Sequence, residues 1–574
     1  MKNRLNQLIG LMEEYEIDVL LLQNTDEYQC EYVHINKQRI RWLCGFSGSN
    51  ATLIISREGK QNFFTDGRYT LQATRELDCS YYQIHNVCEL TPWQWCVENC
   101  LSHTVVAYES ALFTLSQIRK YEDCGIFLKP IDQILIDKLW IRDFAIEHDI
   151  VQHSLEYSGV ESYTKSCEVA KYLSDKDAAL ITNTDVISWM LNIRNKKFLY
   201  NPSVLSRAIL YKDGRVDLFI DDVYSVNVKY EHLNICSLNN LFNVLKSVKS
   251  VVVDASTIPM SIFLSLQQQD VLVNDADFCL LMKARKNDVE IQGAINAHVR
   301  DGISIVNLLY WLNMQLDNNQ KITELDVESK LLDFRKQQSL FQGESFSTIS
   351  GFQENGAVIH YRANNDTNKL ICKNGLYLLD SGGQYLDGTT DVTRTVAIGE
   401  PTSEQITNFT LVLKGHIALA MAVFPLGTTG GMLDILARQY LWKSGLDYQH
   451  GTGHGVGSFL SVHEGPCAIS YKNDVVLQPN MVLSNEPGYY KNGEYGIRIE
   501  NLMYVEEYMN GFLRFKQLTC VPIDLRLIDV DMLNHEEINY IDQYHNFVYN
   551  TIAPHVSEEV KHWLCHACQS LKGK

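Results

Sequence analysis

Apolar and polar residues follow the same pattern in two places along the chain. In residues 18–26 and again in residues 177–185, a short apolar run typical of a buried strand ends in Asn-Thr-Asp. A helix-like stretch precedes each run, and a hairpin-like turn follows it, at residues 57–60 and 212–215. Chance similarity between two βα units is one interpretation. The shared order of elements favours the other, two related α/β domains with a mixed sheet in each.

The pattern changes after about residue 283. Residues 287–290 form a helix-starting capping box, and apolar residues then recur at helical spacing. Later helices alternate with strand-like hairpins, which predicts an α+β domain built on antiparallel sheet. We therefore predict domains at residues 1–153, 154–282 and 283–574, the last ending in a helical extension from about residue 530.

Two further helices are predicted within this last domain. One begins near Thr402 and ends before Pro425. The other runs from about Gly431 to Gly445, where a glycine offers the left-handed conformation that ends many helices.

Composition and charge exclude several classes of protein. The 574 residues suffice for two to four domains at roughly 150 residues each. A net charge of −19 without a long basic block argues against binding to nucleic acid or to a membrane surface. The amino terminus lacks the pattern of a secretory signal peptide, and the 15 scattered cysteines predict reduced thiols, so we expect a cytoplasmic protein.

The first chemically informative cluster lies at residues 379–395. An apolar run ends on Asp380, a glycine-containing turn follows, and a threonine-rich strand carries Asp391. On a hairpin, this spacing brings two carboxylates side by side, which is unfavourable unless a cation lies between them or one is protonated. Ordinary turn chemistry is the alternative interpretation of an isolated Asp pair.

A second cluster places His450 and His454 among four glycines, in His-Gly-Thr-Gly-His-Gly-Val-Gly. Glycine lets the backbone approach a ligand closely, which favours a binding site. A flexible glycine-rich loop with incidental histidines is the alternative interpretation. The G-K-[ST] element of a phosphate-binding loop is missing. His463 follows shortly after, and taken alone such a histidine is more often structural than catalytic.

A third cluster contributes Glu486, in Ser-Asn-Glu-Pro-Gly, and Glu500, in Ile-Arg-Ile-Glu-Asn. Glu500 belongs to an apolar strand-like run at residues 495–503, where a carboxylate must be paired, metal-bound or neutral. Arg498, two residues earlier on the same predicted strand face, offers a simple salt bridge as the alternative.

Together these clusters supply five candidate metal ligands: Asp380, Asp391, His454, Glu486 and Glu500. Four carboxylates neutralise two divalent cations, and oxygen-rich ligation with one imidazole favours Mn²⁺, Fe²⁺ or Co²⁺ over structural zinc. Two such ions form a hydrolytic centre because they lower the pKa of bound water and stabilise an oxyanion.

The order of these motifs resembles the signature of the pita-bread metallopeptidases, family M24, which include methionine aminopeptidase, prolidase and aminopeptidase P. The motifs are D-x10-D, HGTGHG, NEPG and IRIEN. Longer phrases at residues 63–73, 380–395, 450–466, 485–501 and 518–534 resemble the long, three-domain, cytosolic type of Xaa-Pro aminopeptidase. The similarity spans essentially the whole chain.

This resemblance implies two creatinase-like α/β domains followed by a pita-bread catalytic domain whose carboxyl-terminal extension forms a homodimer. It implies hydrolysis of the bond between an amino-terminal residue and a following proline in peptides. It also implies two divalent metal ions per subunit, with Mn²⁺ as the expected ion.

The resemblance also implies a role for each metal ligand. A hydroxide bridging the two metals would attack the scissile carbonyl, with Glu486 as both a metal ligand and the general base. Asp391 would chelate both metals or lie between them, while Asp380 would bind one metal and His454 the other. Glu500 would bridge the pair.

Four further side chains are assigned to the substrate in the same way: His360, His450, His463 and Arg68. His360 would contact the peptide, His450 would line the proline pocket, and His463 would stabilise the oxyanion or protonate the leaving nitrogen. Arg68 would reach the substrate from the amino-terminal domain, although pairing with Asp66 in its own turn is equally consistent. Arg498 would orient a ligand carboxylate.

Three alternatives stay open at this point. A prolidase would cleave only Xaa-Pro dipeptides. A catalytically inactive pita-bread protein used for binding would usually have lost metal ligands, whereas all five candidates are present here. A metal-free creatinase-like amidinohydrolase would have no need of the four carboxylates.

Overall fold

The computed structural model describes residues 2–142, 146–173, 178–197, 199–269, 271–275 and 279–572. The chain forms two compact units. The first comprises Met1–His153 and Val160–Cys279, and the second comprises Ser154–Gly159 and Leu280–Lys574. The predicted three-domain boundaries, at residues 153 and 282, stay predictions, because a division into two units does not test them.

The first unit contains two six-stranded sheets. In spatial order, the strands of the first are Tyr82–Asn86, Gln61–Thr65, Thr52–Ser56, Val19–Gln23, Val106–Glu109 and Leu128–Ile131. Those of the second are Leu233–Ser237, Val216–Ile220, Arg207–Tyr211, Ala178–Ile181, Ser250–Val253 and Leu272–Asp275. A small sheet adds Val226–Asn227, Ile150–Gln152 and Ile193–Asn195.

The two large sheets have the same strand directions. In each sheet, the strand that comes first in the sequence pairs antiparallel with one strand of the following hairpin and parallel with a later strand. The strand at each edge of the sheet runs parallel to its neighbour. The predicted turns at residues 57–60 and 212–215 close the two hairpins. The prediction of two related α/β folds with mixed sheets is therefore confirmed, although residue 177 of the repeated motif lies outside the described residues.

Helices accompany these sheets, and several begin where the sequence supplies a cap. Thr91 and Thr114 each accept a hydrogen bond from the backbone of a Gln three residues later, and Pro92 occupies a first helical turn. The helices of this unit are Lys2–Glu14, Arg39–Cys44, Thr70–Glu76, Pro92–Asn99, Leu115–Glu122, Leu135–Leu139, Ser162–Ala170, Thr184–Met190, Leu241–Leu245 and Met260–Gln268. One hydrophobic cluster includes buried residues of both large sheets, among them Leu21 and Leu180.

The second unit has longer helices: Asp288–Asp317, Glu324–Lys336, Ser403–Ala420, Gly430–Lys443, His535–Ile552 and Glu558–Ala567. Short helices cover Leu155–Ser158 and Cys279–Ala284. The predicted capping boxes at Asn287 and Thr402 are present, and Gly445 has a left-handed φ of 70° just beyond the helix that it was predicted to end. Within the part of the chain that is described, no helix is both long and apolar enough to cross a bilayer.

Antiparallel strands form the sheets of this unit. A six-stranded sheet has the order Val423–Pro425, Phe512–Gln517, Asn501–Met509, Val482–Asn485, Gly453–Gly455 and Glu464–Ile469. A three-stranded sheet has the order Ile349–Phe352, Gly375–Ser381 and Val392–Ile398. Smaller sheets contain Ile322–Thr323 with Leu370–Ile371; Phe341–Glu344, Gly383–Tyr385 and Gly388–Thr389; and Gly488–Lys491 with Tyr495–Arg498.

The strands around two candidate ligands differ from the prediction. Residues 495–503 do not form one strand, because Tyr495–Arg498 ends before Glu500 and Asn501–Met509 begins after it in a different sheet. Asp391 likewise precedes the strand Val392–Ile398 instead of lying within it. Glu500 lies where the chain passes from one sheet to the next. Its backbone N–H donates there to Thr393 O at 3.1 Å.

Candidate active site

The structure brings the five predicted ligands to one place in the second unit. Each lies on a strand or at the end of one: Asp380 on Gly375–Ser381, Asp391 before Val392–Ile398, His454 on Gly453–Gly455, Glu486 after Val482–Asn485, and Glu500 before Asn501–Met509. Strand pairing accounts for the convergence, because Asp380 lies opposite Thr393 and Asn485 lies opposite Asn501. Residues up to 120 positions apart therefore meet at adjoining strand ends.

His454 lies between two of the carboxylates. Its Nε2 is 3.5 Å from Asp391 Oδ2 and 3.5 Å from Glu486 Oε1. One ligand atom from each of Asp391, His454 and Glu500 lies within 4.8 Å of the other two. Such a group of atoms is compact enough to share a metal ion.

The remaining predicted ligand, Asp380, is held by an arginine. Arg498 Nη2 donates to Asp380 Oδ2 at 2.5 Å, and both side chains are almost fully buried. The predicted orienting role of Arg498 therefore has a structural counterpart, although its partner is Asp380 and not Glu500. Thr393 links these groups, since its Oγ1 donates to Glu500 Oε2 at 2.8 Å and accepts from Arg498 Nε at 3.1 Å.

Burial and mutual repulsion act on the carboxylates. Burial raises the pKa of Asp391 well above its usual value, and the negative charges of Asp380 and Glu486 raise it further. The pKa of Glu500 is raised in the same way, first by burial and then by Asp391. Without a cation, this arrangement favours protonated carboxyl groups.

The donor atoms fit a divalent metal centre. Within this cluster of described residues, three buried carboxylate oxygens have no hydrogen-bond partner: Asp380 Oδ1, Asp391 Oδ1 and Glu500 Oε1. His454 Nδ1 is 2.9 Å from Gly455 O, a carbonyl that only accepts, so Nδ1 carries a proton and Nε2 is the ring nitrogen that faces the two carboxylates. A cation between these atoms would satisfy all of them, and oxygen-rich ligation with one imidazole suits Mn²⁺-like ions.

Two of the predicted substrate histidines lie beside this cluster or its supports. The ring of His463 meets that of His454 edge to face, with centroids 4.4 Å apart. His450 Nε2 is 2.8 Å from the Tyr490 hydroxyl, which also accepts from Arg498 Nη1 at 2.7 Å. A chain of contacts thus connects His450 to Asp380 through Tyr490 and Arg498.

The positions of the other two substrate candidates are less direct. His360 follows Ile359, whose carbonyl accepts from Arg498 Nη2 at 3.4 Å. Arg68 belongs to the first unit and donates to both carboxylate oxygens of Asp66, at 2.9 and 2.8 Å. Its contact with substrate stays a prediction.

Several supporting residues were missed in the sequence. Tyr490 and Thr393 hold Arg498, and Ser484 Oγ donates to Glu486 Oε1 at 3.2 Å while accepting from the His454 backbone at 3.0 Å. Ser484 and Thr393 lie on strands, each two residues from a predicted ligand just beyond the end of that strand. Residues two apart in an extended segment share a face, so this spacing was the signal that pointed to them. Tyr490 has no such signal, because only the fold brings it to Arg498.

The comparisons with known proteins agree with this geometry. Residues 293–507 match the model of metallopeptidase family M24, and residues 511–571 match that of the C-terminal region of peptidase M24. Models of the creatinase/prolidase N-terminal domain match residues 4–139 and 142–290. A probable Xaa-Pro aminopeptidase P of Laccaria bicolor is 35% identical, over 99% of this chain and 93% of the relative. The chain belongs to the Xaa-Pro aminopeptidases of metallopeptidase family M24.

Other members of this M24 group are similarly close. The Xaa-Pro aminopeptidase 1 of Dictyostelium discoideum is 36% identical over 96% of this chain and 93% of its own. A crystal structure of the X-prolyl aminopeptidase of Caenorhabditis elegans, described as a cytosolic enzyme with a di-nuclear active site, aligns with a TM-score of 0.94 at 32% identity, covering 99% of both chains. The predicted creatinase-like and pita-bread folds are thereby confirmed, and the chain is a metallopeptidase.

Two buried histidines make the stability of the second unit sensitive to acid. Burial lowers the pKa of His416 to about 3 and that of His545 to about 4. Because both pKa values lie below the ordinary value, the unfolded chain binds more protons, and stability present above about pH 6.5 is lost as the pH falls. In chelator-treated protein we expect each histidine to lower the free energy of unfolding by roughly 2 kcal/mol as the pH falls from 6.5 to 5.

Thermal unfolding at pH 7.5 and pH 5 tests this expectation. His545 Nε2 accepts from the Ile523 backbone N–H at 3.1 Å, and a glutamine oxygen can replace that acceptor. His545→Gln should therefore reduce the difference in Tm between the two pH values, whereas exposed His535→Gln should not. An undiminished difference in His545→Gln would contradict the assignment.

Proposed function

We propose that this M24 metallopeptidase removes the amino-terminal residue from peptides that carry proline at the second position. The observation that carries the proposal is the convergence of four carboxylates and one imidazole with three unpartnered buried oxygens. The names of the relatives, Xaa-Pro aminopeptidases over nearly the full chain, support the substrate class. Prolyl bonds need such dedicated enzymes because proline lacks an N–H and has a fixed φ.

Asp380, Asp391, His454, Glu486 and Glu500 would hold two divalent ions, for which we propose Mn²⁺. When bound, the ions lower the pKa of water and stabilise negative charge on the carbonyl oxygen. Arg498 orients Asp380, because its guanidinium donates to the carboxylate at 2.5 Å. Thr393 donates to Glu500 Oε2, and Glu500 Oε1 has no hydrogen-bond partner and is available to a metal ion.

Proton transfer belongs to Glu486 and His463 in this proposal. Glu486 is less buried than Asp391 and is fixed by Ser484, so its carboxylate can reach solvent and take the proton of the attacking water. His463, whose ring meets that of His454 edge to face, stabilises the developing oxyanion or gives a proton to the leaving proline nitrogen. His450 lines the proline pocket beside Tyr490, and His360 contacts the peptide.

A peptide-digestion panel tests the function. We expect cleavage of Xaa-Pro-Yaa peptides after the first residue, loss of cleavage with a chelator, and recovery with Mn²⁺. Cleavage of Xaa-Pro dipeptides alone would instead indicate a prolidase. Absence of cleavage, together with no bound transition metal after supply of Mn²⁺, would indicate a binding protein.

Replacement of His360 separates substrate contact from metal binding. We expect His360→Ala to lower kcat/KM by about 100-fold, an effect typical of a lost positioning group, while two metal ions per subunit remain. Steady-state kinetics and elemental analysis measure the two quantities. Loss of metal in this variant would mean that His360 is a ligand.

We also propose a cytoplasmic homodimer. The C. elegans structure is described as that of a cytosolic enzyme, which supports the compartment. On the helix Gly430–Lys443, Met432, Ile435 and Trp442 occupy one face and are 65%, 51% and 46% exposed. Exposed apolar side chains grouped on one helix face suit a partner subunit, and measurement of the mass in solution tests the proposed homodimer.

A further inference from the structure

Three charged side chains form a buried cluster next to the candidate active site. Lys283 Nζ lies 2.5 Å from Glu464 Oε1, and Lys286 Nζ bonds the other oxygen, Oε2. The exposed fraction of each side chain is 3% or less. We call Lys283, Lys286 and Glu464 the lysine clamp. Burying two cations with one anion is energetically costly, so the clamp is unfavourable for stability unless its geometry supports the structure around it.

The clamp holds the strand that positions His463. Glu464 follows His463 directly, and its Cα lies opposite that of Gly455, the residue after His454. The pairing shifts register between His454 and Gly455, and the rings of His454 and His463 meet edge to face at this point. A Cβ at Gly455 would lie only 2.3 Å from Glu464 O, so the two strands approach as closely as glycine permits.

The same lysine segment supports the strand that leads to Glu486. Lys286 donates its backbone N–H to Asn480 O at 3.0 Å, and Arg285 pairs with Met481 as an isolated bridge. Val482–Asn485 begins at the next residue and ends directly before Glu486. One short segment thus contacts both chain segments that carry the proposed proton-transfer groups.

We propose that Lys283 and Lys286 are positioning residues that act through Glu464 to hold His463 against His454 in the productive geometry. This inference rests on the proposed function, because it assigns His463 to the transition state. Small displacements of a catalytic group cost large factors in rate, whereas substrate binding depends less on them. Loosening the clamp should therefore lower kcat and leave KM nearly unchanged.

Lys283→Met is the most informative variant. Methionine keeps most of the length of the lysine side chain. The variant leaves Lys286 paired with Glu464, which is a neutral pair in place of a cluster with a net positive charge. The variant should fold and retain two metal ions per subunit. We expect kcat on an Xaa-Pro-Yaa peptide to fall about tenfold or more, with KM changed less than about twofold. Lys472→Met, at an exposed lysine after the same strand, is the matched control and should behave as wild type.

A double-mutant cycle distinguishes positioning from general structural damage. If the clamp acts through His463, Lys283→Met should have almost no further effect on kcat when introduced into His463→Ala. Equal effects of Lys283→Met in both backgrounds, or unchanged kcat in the single variant, would overturn the inference. Should Lys283→Met fail to fold, Lys286→Met leaves the same neutral pair and takes its place in the cycle. Absence of cleavage by the wild-type protein would overturn the proposed function itself, so the two failures are distinguishable.

Discussion

Replacing Glu486 with glutamine is expected to lower kcat by at least about 10³-fold, because a general base typically contributes 10²- to 10⁴-fold and this carboxylate is also a proposed metal ligand. Glutamine has nearly the same shape and can still accept from Ser484 through its amide oxygen. The fold should therefore persist, with a Tm close to that of the wild-type protein. Steady-state kinetics on an Xaa-Pro-Yaa peptide and thermal unfolding measure the two effects.

A matched substitution tells a local effect from a general one. Glu507 is exposed on the strand Asn501–Met509, so Glu507→Gln changes the same charge without touching the cluster. That variant should retain wild-type kinetics. Activity of Glu486→Gln within tenfold of wild type would remove Glu486 from its proposed role.

Asp391→Asn is expected to have opposite effects on metal binding and on metal-free stability. Asparagine loses a negative charge at the centre of the cluster, so metal affinity should fall by more than about 100-fold, beyond the losses typical of groups that merely orient ligands. Metal-free Asp391→Asn should unfold at a higher temperature than metal-free wild type. The raised pKa of Asp391 is the reason, because a neutral side chain avoids the cost of burying a carboxylate and also the repulsion from Asp380 and Glu486.

Calorimetric titration with Mn²⁺ and thermal unfolding after chelation measure these two quantities. Asp474→Asn, at an exposed position of the same unit, controls for the change of residue type. A metal-free Asp391→Asn protein with a lower Tm than wild type would show that the carboxylates do not strain the metal-free fold.

Much of the candidate site was predictable because its ligands occur in short, distinctive sequence contexts. Asp380 lies in, and Glu486 follows, an apolar run that the fold turns into a strand, so their positions near strand ends could be anticipated. His454 lies among glycines, and its place on a short strand was not predicted. The duplicated sheets were predictable for a similar reason, since apolar runs and turns recur in the same order.

The errors arose where tertiary structure interrupts a regular pattern. The apolar composition of residues 495–503 predicts one strand, yet the chain passes from one sheet to another at Glu500. The contact of Glu500 with the neighbouring strand at Thr393 accompanies this change and has no local sequence pattern. Alternation also offered an Arg498–Glu500 salt bridge as the alternative interpretation, whereas Arg498 pairs with Asp380, 118 positions away.

The lysine clamp was not predictable from the sequence. Lys283 and Glu464 are separated by 181 positions, and a lysine near a domain boundary ordinarily indicates solvent exposure. Long-range pairing of buried charges leaves no local pattern, so such contacts emerge only from the fold.

Anomalous diffraction from crystals soaked in Mn²⁺ tests the central assignment most directly. We predict two peaks per subunit, both enclosed by Asp380, Asp391, His454, Glu486 and Glu500. Peaks confined to other side chains, or no peak in crystals of a protein that cleaves Xaa-Pro-Yaa peptides, would contradict the proposed metal centre.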